Sequence, residues 1–535
     1  MTSPAPPAPP DAPPYDWRKG VVAAAMSVLV GVTQGLGINL VTANLPAIQG
    51  ALGATPVEGA WIVAAYMATS VSASVLLVKF RFQFGLRLFA DLGLGLFIVV
   101  TAAHLFANTL GSAIAVRAAQ GIAAAPLASL SLFYMMGAFP PEKRTTGVAL
   151  GIAASQLGVP LSRVISPELL QIGQWHGLYL LELGLALICF AGVAAFRLPP
   201  VPQALRFERA DFVSFALFAP GLGLLAIVLS LGRFVWWTEA PWLGVCLALS
   251  IVFLAAANLF DLHRKQPLVD VRWLSTAEMV RFAVAIVLFR IALSEQTVGA
   301  VGFFTTLGLA NEQMATLFWI VLACTVAGFL TAALTLNPER PLTPLMIALV
   351  MIIVAAWTDA HSTAQTRPEQ MYLTQGMLAF AGALFLPPAM LFGISRALAT
   401  GFQRLASYVM VFSAGQALGG LAGTALLGTF VTWREKYHSN LLTQGVTLGD
   451  PEVVLRLRQL SAAYGRVIAD PQLRSAEALA LLQQQATREA YVRAYNDAFA
   501  LVAVLAALTL AWMLLLRARA VLERRRAVTA NEAPA

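Results

Sequence analysis

Inside stretches apolar enough to cross a bilayer, the sequence places three arginines, Arg117, Arg163 and Arg290, and three glutamates, Glu168, Glu182 and Glu295. A charged side chain at such depth costs several kcal/mol by insertion scales, so it turns to a partner or a cavity rather than to lipid. Two chemistries suit these residue types. Arginines around a closed pocket bind carboxylates through paired hydrogen bonds. That points to an organic anion, aromatic carboxylic acids among them, with Gln34, Asn39, Arg163, Arg290 and Gln296 as binding candidates. A buried carboxyl changes its proton affinity with its surroundings, so Glu182 and Glu295 are the candidates for carrying a proton. The competing reading is three internal Arg–Glu bridges that only hold a bundle together. Arg290 and Glu295 are separated by about 140° round a helix, too far for an ideal local pair, so each is expected to find its partner on another helix. Glu168 falls near the outer end of its segment and Arg163 lies deeper. An exchange of Arg–Glu partners between two conformations gives each its own proton affinity, the differential interaction that a coupled switch requires.

The elements that must hold these groups are membrane helices. Of 535 residues, 59% are hydrophobic and 12% charged, with mean hydropathy +0.74, whereas soluble domains run at roughly 45–50% apolar and about 25% charged. An ordinary soluble enzyme is excluded. At about 20 residues per crossing, the apolar runs predict fourteen spans, near 20–41, 57–79, 87–107, 111–135, 146–170, 176–196, 212–232, 240–262, 278–299, 312–336, 343–358, 371–395, 405–430 and 494–517. Residues 1–19 hold seven prolines and read as a disordered cytoplasmic tail, and the first span reads as an uncleaved anchor. An N-terminal six-helix bundle is expected over 20–196, a linker with two inserted helices over 197–277, a C-terminal six-helix bundle over 278–517 and a basic tail over 518–535.

Charge sets the expected topology. Of the 35 Lys and Arg, 22 fall in the tails and in the loops on their side, and the short loops of the other side hold only Arg233 and Arg367. By the positive-inside rule both termini are cytoplasmic, which accounts for most of the net charge of +8 without an acidic partner. The one dense basic run, 522–527, suits anionic lipid headgroups rather than nucleic acid. The long segment 433–493 escapes the rule and carries apolar residues at helical spacing over 453–468 and 475–495, predicting two amphipathic helices on the outer face. They serve either as a lid on the last two spans or as a docking surface for a partner. The five histidines and three cysteines are dispersed without metal-ligand, disulfide or nucleophile spacing, so neither a metal site nor an enzyme is expected.

Motifs in order along the chain resemble the major facilitator superfamily. Gly85-Leu86-Arg87 resembles the end of its loop signature between spans two and three, with the acidic member missing, and Arg117, Gln120 and Gly121 match its Arg-x-x-Gln-Gly motif in span four. The segments 42–53, 61–67, 267–274, 415–423 and 483–499 are similar to stretches of the fourteen-span drug:proton antiporter branch, the Emr/Qac type. Gly415, Gly419 and Gly423 fall on one stripe that lets a neighbouring helix approach closely. Pro160, Pro167, Pro387 and Pro388 are expected to kink their helices.

The resemblance implies two six-helix bundles with two inserted helices, alternating access, and proton-coupled export with no cofactor beyond the proton gradient. It implies a bacterial inner-membrane location and, in Gram-negative members, a periplasmic adaptor with an outer-membrane channel. Departures bear on the substrate. The branch usually carries an acid in span one where this chain has Gly37, a Gly-Pro-x-x-Gly-Gly signature where it has Ser162-Arg163 and Ser166-Pro167, and an Asn where it has Glu182. Losing a span-one acid and gaining Arg163 moves the cavity potential in the positive direction, toward anions. The alternative is an exporter of cationic or neutral lipophilic drugs.

Overall fold

The structure is a computed structural model that describes residues 16–151, 153–197, 207–336, 342–447 and 449–531. Most of the proline-rich tail, part of the loop after span six and the loop after span ten lie outside the described residues. Helix begins earlier than the composition suggests, at Trp17, because Asp16 accepts the Arg18 N–H and caps the first turn.

Among the described residues there is no strand, and fourteen helices run back and forth. Spans one to four are Trp17–Ala43, Pro56–Phe84, Leu86–Ala103 and Leu110–Gly137. Span five comprises the described helical segments Arg144–Gly151, Ala153–Gln156 and Gly158–Gly173, with a turn at Leu157, and span six is His176–Ala195. The inserted spans seven and eight are Arg209–Val235 and Pro241–Leu262. Span nine runs from Ala277 to Ser294, through a π turn at Glu295–Ala300, to Val301–Thr306. Spans ten to fourteen are Ala315–Thr335, Leu342–Asp359, Tyr372–Thr400, Phe402–Gln444 and Pro471–Asn531.

Thirteen of these helices are long and apolar enough to cross a membrane. The ninth falls outside that group because Glu278, Arg281 and Arg290 all lie in its first segment. The prolines at 167, 387 and 388 sit inside continuous helix, and the interruption described in span five is instead the turn at Leu157.

Two corrections concern the last two spans. At 1.5 Å per residue, the 43-residue helix of span thirteen is about 65 Å long and the 61-residue helix of span fourteen about 90 Å, against a hydrocarbon core of about 30 Å. Both project beyond the bilayer on the face opposite the termini. Hydropathy falls at the membrane border, but the Ala, Leu, Gln, Glu and Arg that follow are good helix formers, so the helix continues. Of the two expected amphipathic helices, the first is a separate element, Pro451–Ala463, and the second is the beginning of span fourteen.

Close helix contacts fix the cavity-lining spans. A Cβ at Gly121 would strike the Tyr66 carbonyl and the Thr69 hydroxyl, so span two lies directly against span four, and the Thr69 hydroxyl donates to the Ala118 carbonyl at 2.7 Å. A Cβ at Gly423 would meet the Ser294 hydroxyl and Ile291 Cα, and one at Gly419 would lie 3.2 Å from Arg290 Cβ. Gly415 has nothing within 4 Å. The expected three-glycine stripe is therefore a two-glycine contact, because an i, i+4, i+8 row drifts by about 40° per step on a 3.6-residue helix. Gly423→Ala is expected to lower the thermal midpoint of the purified protein by several degrees, since overpacking a close contact costs about 1–3 kcal/mol. Gly415→Ala should leave it unchanged, and equal effects in a melting experiment would contradict this packing.

Candidate functional site

Span four presents Arg117 and Gln120 on one face, one turn apart, and both are buried. Arg117 Nη1 donates to the Gly37 carbonyl at 2.9 Å and to Gln120 Oε1 at 2.5 Å, and Gln120 Nε2 donates to Glu182 Oε1 at 2.5 Å. The guanidinium stands 4.3 Å over the Tyr66 ring, a position made possible by the close approach of span two at Gly121. Tyr66 and Glu182 are also buried. By residue count, Gly37, Arg117 and Glu182 each lie about 9–10 Å inside the face opposite the termini.

The place of the missing span-one acid is filled from elsewhere. A Cβ at Gly37 would come within 2.6 Å of Glu182 Oε1. The carboxylate of span six thus occupies the volume into which a span-one side chain would project. The two departures noted in the sequence, Gly37 and Glu182, lie against one another in the structure.

A second buried carboxyl group lies in the other half. Glu295, the first residue of the π turn, accepts from Gln375 Nε2 at 3.1 Å (Oε1) and 3.4 Å (Oε2), and the same amide nitrogen donates to Asp359 Oδ2 at 2.9 Å. Gln296 Nε2 donates to the Gln375 carbonyl at 3.2 Å, which ties the π turn to span twelve. Glu295 therefore does have its partners on other helices, and they are an amide and a second acid.

The other two arginines singled out within the spans, Arg163 and Arg290, have no acid partner among the described residues. Arg290 runs its stem past Gly419 and brings Nη2 to within 2.7 Å of where a Cβ on Gly420 would stand. Its Nε is buried without a partner, and no carboxylate among the described residues pairs with it. One turn before Gly420 on span thirteen, both side-chain polar atoms of Gln416 are buried and unpartnered. Arg163 bonds a neutral group, Asn311 Oδ1, at 2.9 Å and stands 5.3 Å from the Phe318 ring. Asn311 Nδ2 in turn donates to the Ala43 carbonyl at 3.1 Å, so this contact joins the two halves at the face opposite the termini. Glu168 is exposed. Internal Arg–Glu bridges are absent among the described residues for Arg163 and Arg290.

The remaining sequence candidates are less engaged. Gln34 has a buried, unpartnered Oε1, while Asn39 donates to the Gly35 carbonyl of its own helix. Gly85 adopts φ +84° in open space, and Arg87 is exposed with Asp91 at 3.9 Å. Sequence reasoning missed Tyr66, Asn311, Asp359, Gln375 and Gln416. Asp359 and Gln375 sit at span ends, where hydropathy marks them as loop-proximal, and a lone Gln in an apolar helix was the available signal for Gln416.

Against known proteins, residues 27–423 match the sequence profile of the Major Facilitator Superfamily. The chain is similar to the fatty acid resistance protein FarB of Neisseria gonorrhoeae, 27% identical over 337 residues that make up 60% of this chain and 63% of that protein. It is 24% identical over 520 residues to the multidrug export protein EmrB of Escherichia coli (strain K12), 91% of this chain and 93% of that one. In fold it resembles the human organic anion transporter MFSD10 (TETRAN), with TM-score 0.57 and 14% identity over 92% of this chain and 100% of that one. With two six-helix bundles, an inserted helix pair and these matches, the chain belongs to the Major Facilitator Superfamily of membrane transporters and stands as a divergent member of the EmrB type.

Proposed function

We propose that this transporter exports small organic anions, aromatic and other carboxylates, in exchange for protons across a bacterial inner membrane, with both termini cytoplasmic. The observation that carries the reading is the unpaired polar set at spans nine and thirteen, Arg290 with Gln416. A guanidinium whose Nε is buried without a partner, packed against Gly420 one turn from the unsatisfied Gln416 amide, is costly unpaired and matches a carboxylate, which can accept from both. Arg163, held by a neutral amide, is a second cation free to turn toward an anion. The FarB similarity agrees with this reading, since fatty acids are carboxylates. The charge distribution over the loops supports the orientation.

Glu182 carries the coupled proton in this scheme. Its carboxylate accepts from Gln120, whose oxygen accepts from Arg117. Protonation removes the charge of Glu182 from the relay that ends on Arg117 and weakens the charge-assisted bond from Gln120, while the new O–H becomes a donor in need of an acceptor. Each protonation state then favours a different arrangement of spans one, four and six, which is what coupling to alternating access requires. Glu295, with Asp359 and Gln375, offers a second place for a proton. The projecting helices of 433–493 suit a periplasmic adaptor that leads to an outer-membrane channel. Export of cationic or neutral lipophilic drugs is the second reading, favoured by similarity to EmrB over 91% of the chain.

Uptake driven by a proton gradient into inverted vesicles separates the two readings. An aromatic carboxylate is expected to accumulate and a quaternary amine is not; movement of the amine alone would overturn the anion reading. Arg290→Ala should reduce carboxylate uptake by about tenfold or more, the cost of losing one charge-assisted bidentate contact, and unchanged uptake would remove Arg290 from the site. Glu182→Gln should abolish accumulation against a gradient while sparing exchange of labelled for unlabelled substrate. Proton-driven accumulation by that variant at the normal rate would place the coupled proton elsewhere.

A further inference from the structure

The loop after span two lacks the acid of the superfamily signature, and the structure supplies acids to the same place from the inserted spans. Lys79, near the end of span two, is 7% exposed, with Nζ 2.7 Å from Asp211 Oδ1 in the first turn of span seven. Asp211 is fully buried, and its other oxygen accepts the Glu208 N–H at 2.9 Å. Arg264, just beyond span eight, reaches Asp211 at 2.8 Å, Glu208 at 3.0 Å and Asp261 at 3.3 Å. Asp261 Oδ1 accepts from the Ser214 hydroxyl at 2.5 Å and its Oδ2 from the Val269 N–H at 2.9 Å. Gln83 Oε1 adds a bond from the Phe207 N–H at 2.6 Å.

The chain of contacts does not stop at the inserted pair. Asp270, next to Val269, accepts Arg404 Nε at 3.2 Å, and its N–H donates to the Ser407 hydroxyl at 3.0 Å. Arg404 and Ser407 begin span thirteen, in the other half. Beneath the polar chain, Val75, Phe218, Ala257, Val269 and Met410 form an apolar cluster from the same elements.

We propose that the inserted spans act as the latch between the two halves on the termini-bearing face, in place of the missing loop acid. Burial divides the latch into a fixed and a separable part. Lys79, Asp211, Asp261 and Arg264 are nearly or fully buried, and removing one leaves its partner's charge uncompensated, so the inserted pair travels with span two and the N-terminal half. Asp270 and Arg404 are 26% and 36% exposed, where an ion pair holds weakly and water replaces it readily. Opening on this face therefore parts Asp270 from Arg404 and Ser407 and leaves the buried cluster whole. An anchor serving only to hold the inserted pair in the bilayer has no use for the step to span thirteen.

Distances between spin labels in nanodiscs, in a background without Cys189, Cys246 and Cys324, test this with neither substrate nor proton gradient, so the outcome is independent of the anion reading. Labels replace Phe84 at the end of span two and either Leu398 at the end of span twelve or Leu259 in span eight, all exposed. In Asp270→Asn and Arg404→Gln, the short-distance population of the 84–398 pair is expected to fall roughly two- to fivefold, as for loss of a half-exposed ion pair. The 84–259 distance should stay fixed, and the charge exchange Asp270→Arg with Arg404→Asp should restore the short distance. An unchanged 84–398 distribution, an 84–259 distance that moves with it, or an exchange variant no better than the single ones would each overturn the latch.

Discussion

The cost of an unpaired charge inside a bilayer governs this molecule. With few charged residues in the whole chain, each one placed among apolar helices must be matched, neutralised or kept for a ligand. Three of these outcomes coexist. Lys79, Asp211, Asp261 and Arg264 match one another near the termini-bearing face. Arg117 and Glu182 are linked through the amide of Gln120. Arg290 has no acid among the described residues, and the side-chain polar atoms of Gln416, one turn from the Gly420 against which Arg290 packs, have no protein partner there. An arginine without an acid, as at Arg290, is a place where a substrate carboxylate would lower the energy of the protein.

The two halves hold a buried carboxyl group in related ways. In each, the fourth helix supplies a Gln that donates to a buried Glu: Gln120 to Glu182 in the first, Gln375 to Glu295 in the second. The acids come from different helices, the sixth of the first half and the first of the second. In the N-terminal half the span-six carboxylate lies against Gly37 of span one. The π turn at Glu295 widens span nine at the point where its acid meets Gln375 and Asp359, as such turns do at functional places.

Much of this was legible in the sequence, for physical reasons. Apolar runs of spanning length and the asymmetry of Lys and Arg define the helices, because the bilayer leaves few alternatives. Arg117 and Gln120 are marked together by the span-four motif, and Glu182 separately as an acid at a depth where charge is costly. That they form one relay was not legible, since it depends on the crossing of spans one, four and six. The extension of spans thirteen and fourteen past the bilayer was missed because hydropathy reports solvent and not helicity. The pairing of Asp211 and Asp261 with Lys79 and Arg264 was hidden for the same reason as the relay: side chains separated by most of a bundle in sequence meet only once the inserted pair has packed on span two.

The central claim is that the uncompensated Arg290 reads a carboxylate. Binding to the purified transporter in nanodiscs, compared for an aromatic carboxylate and for its neutral primary amide of the same shape, addresses it most directly. The account predicts that the carboxylate binds about tenfold or more tightly, the discrimination expected of a charge-assisted bidentate contact, and that Arg290→Gln erases the difference. Equal affinity for the two compounds, or a difference that survives Arg290→Gln, would contradict it.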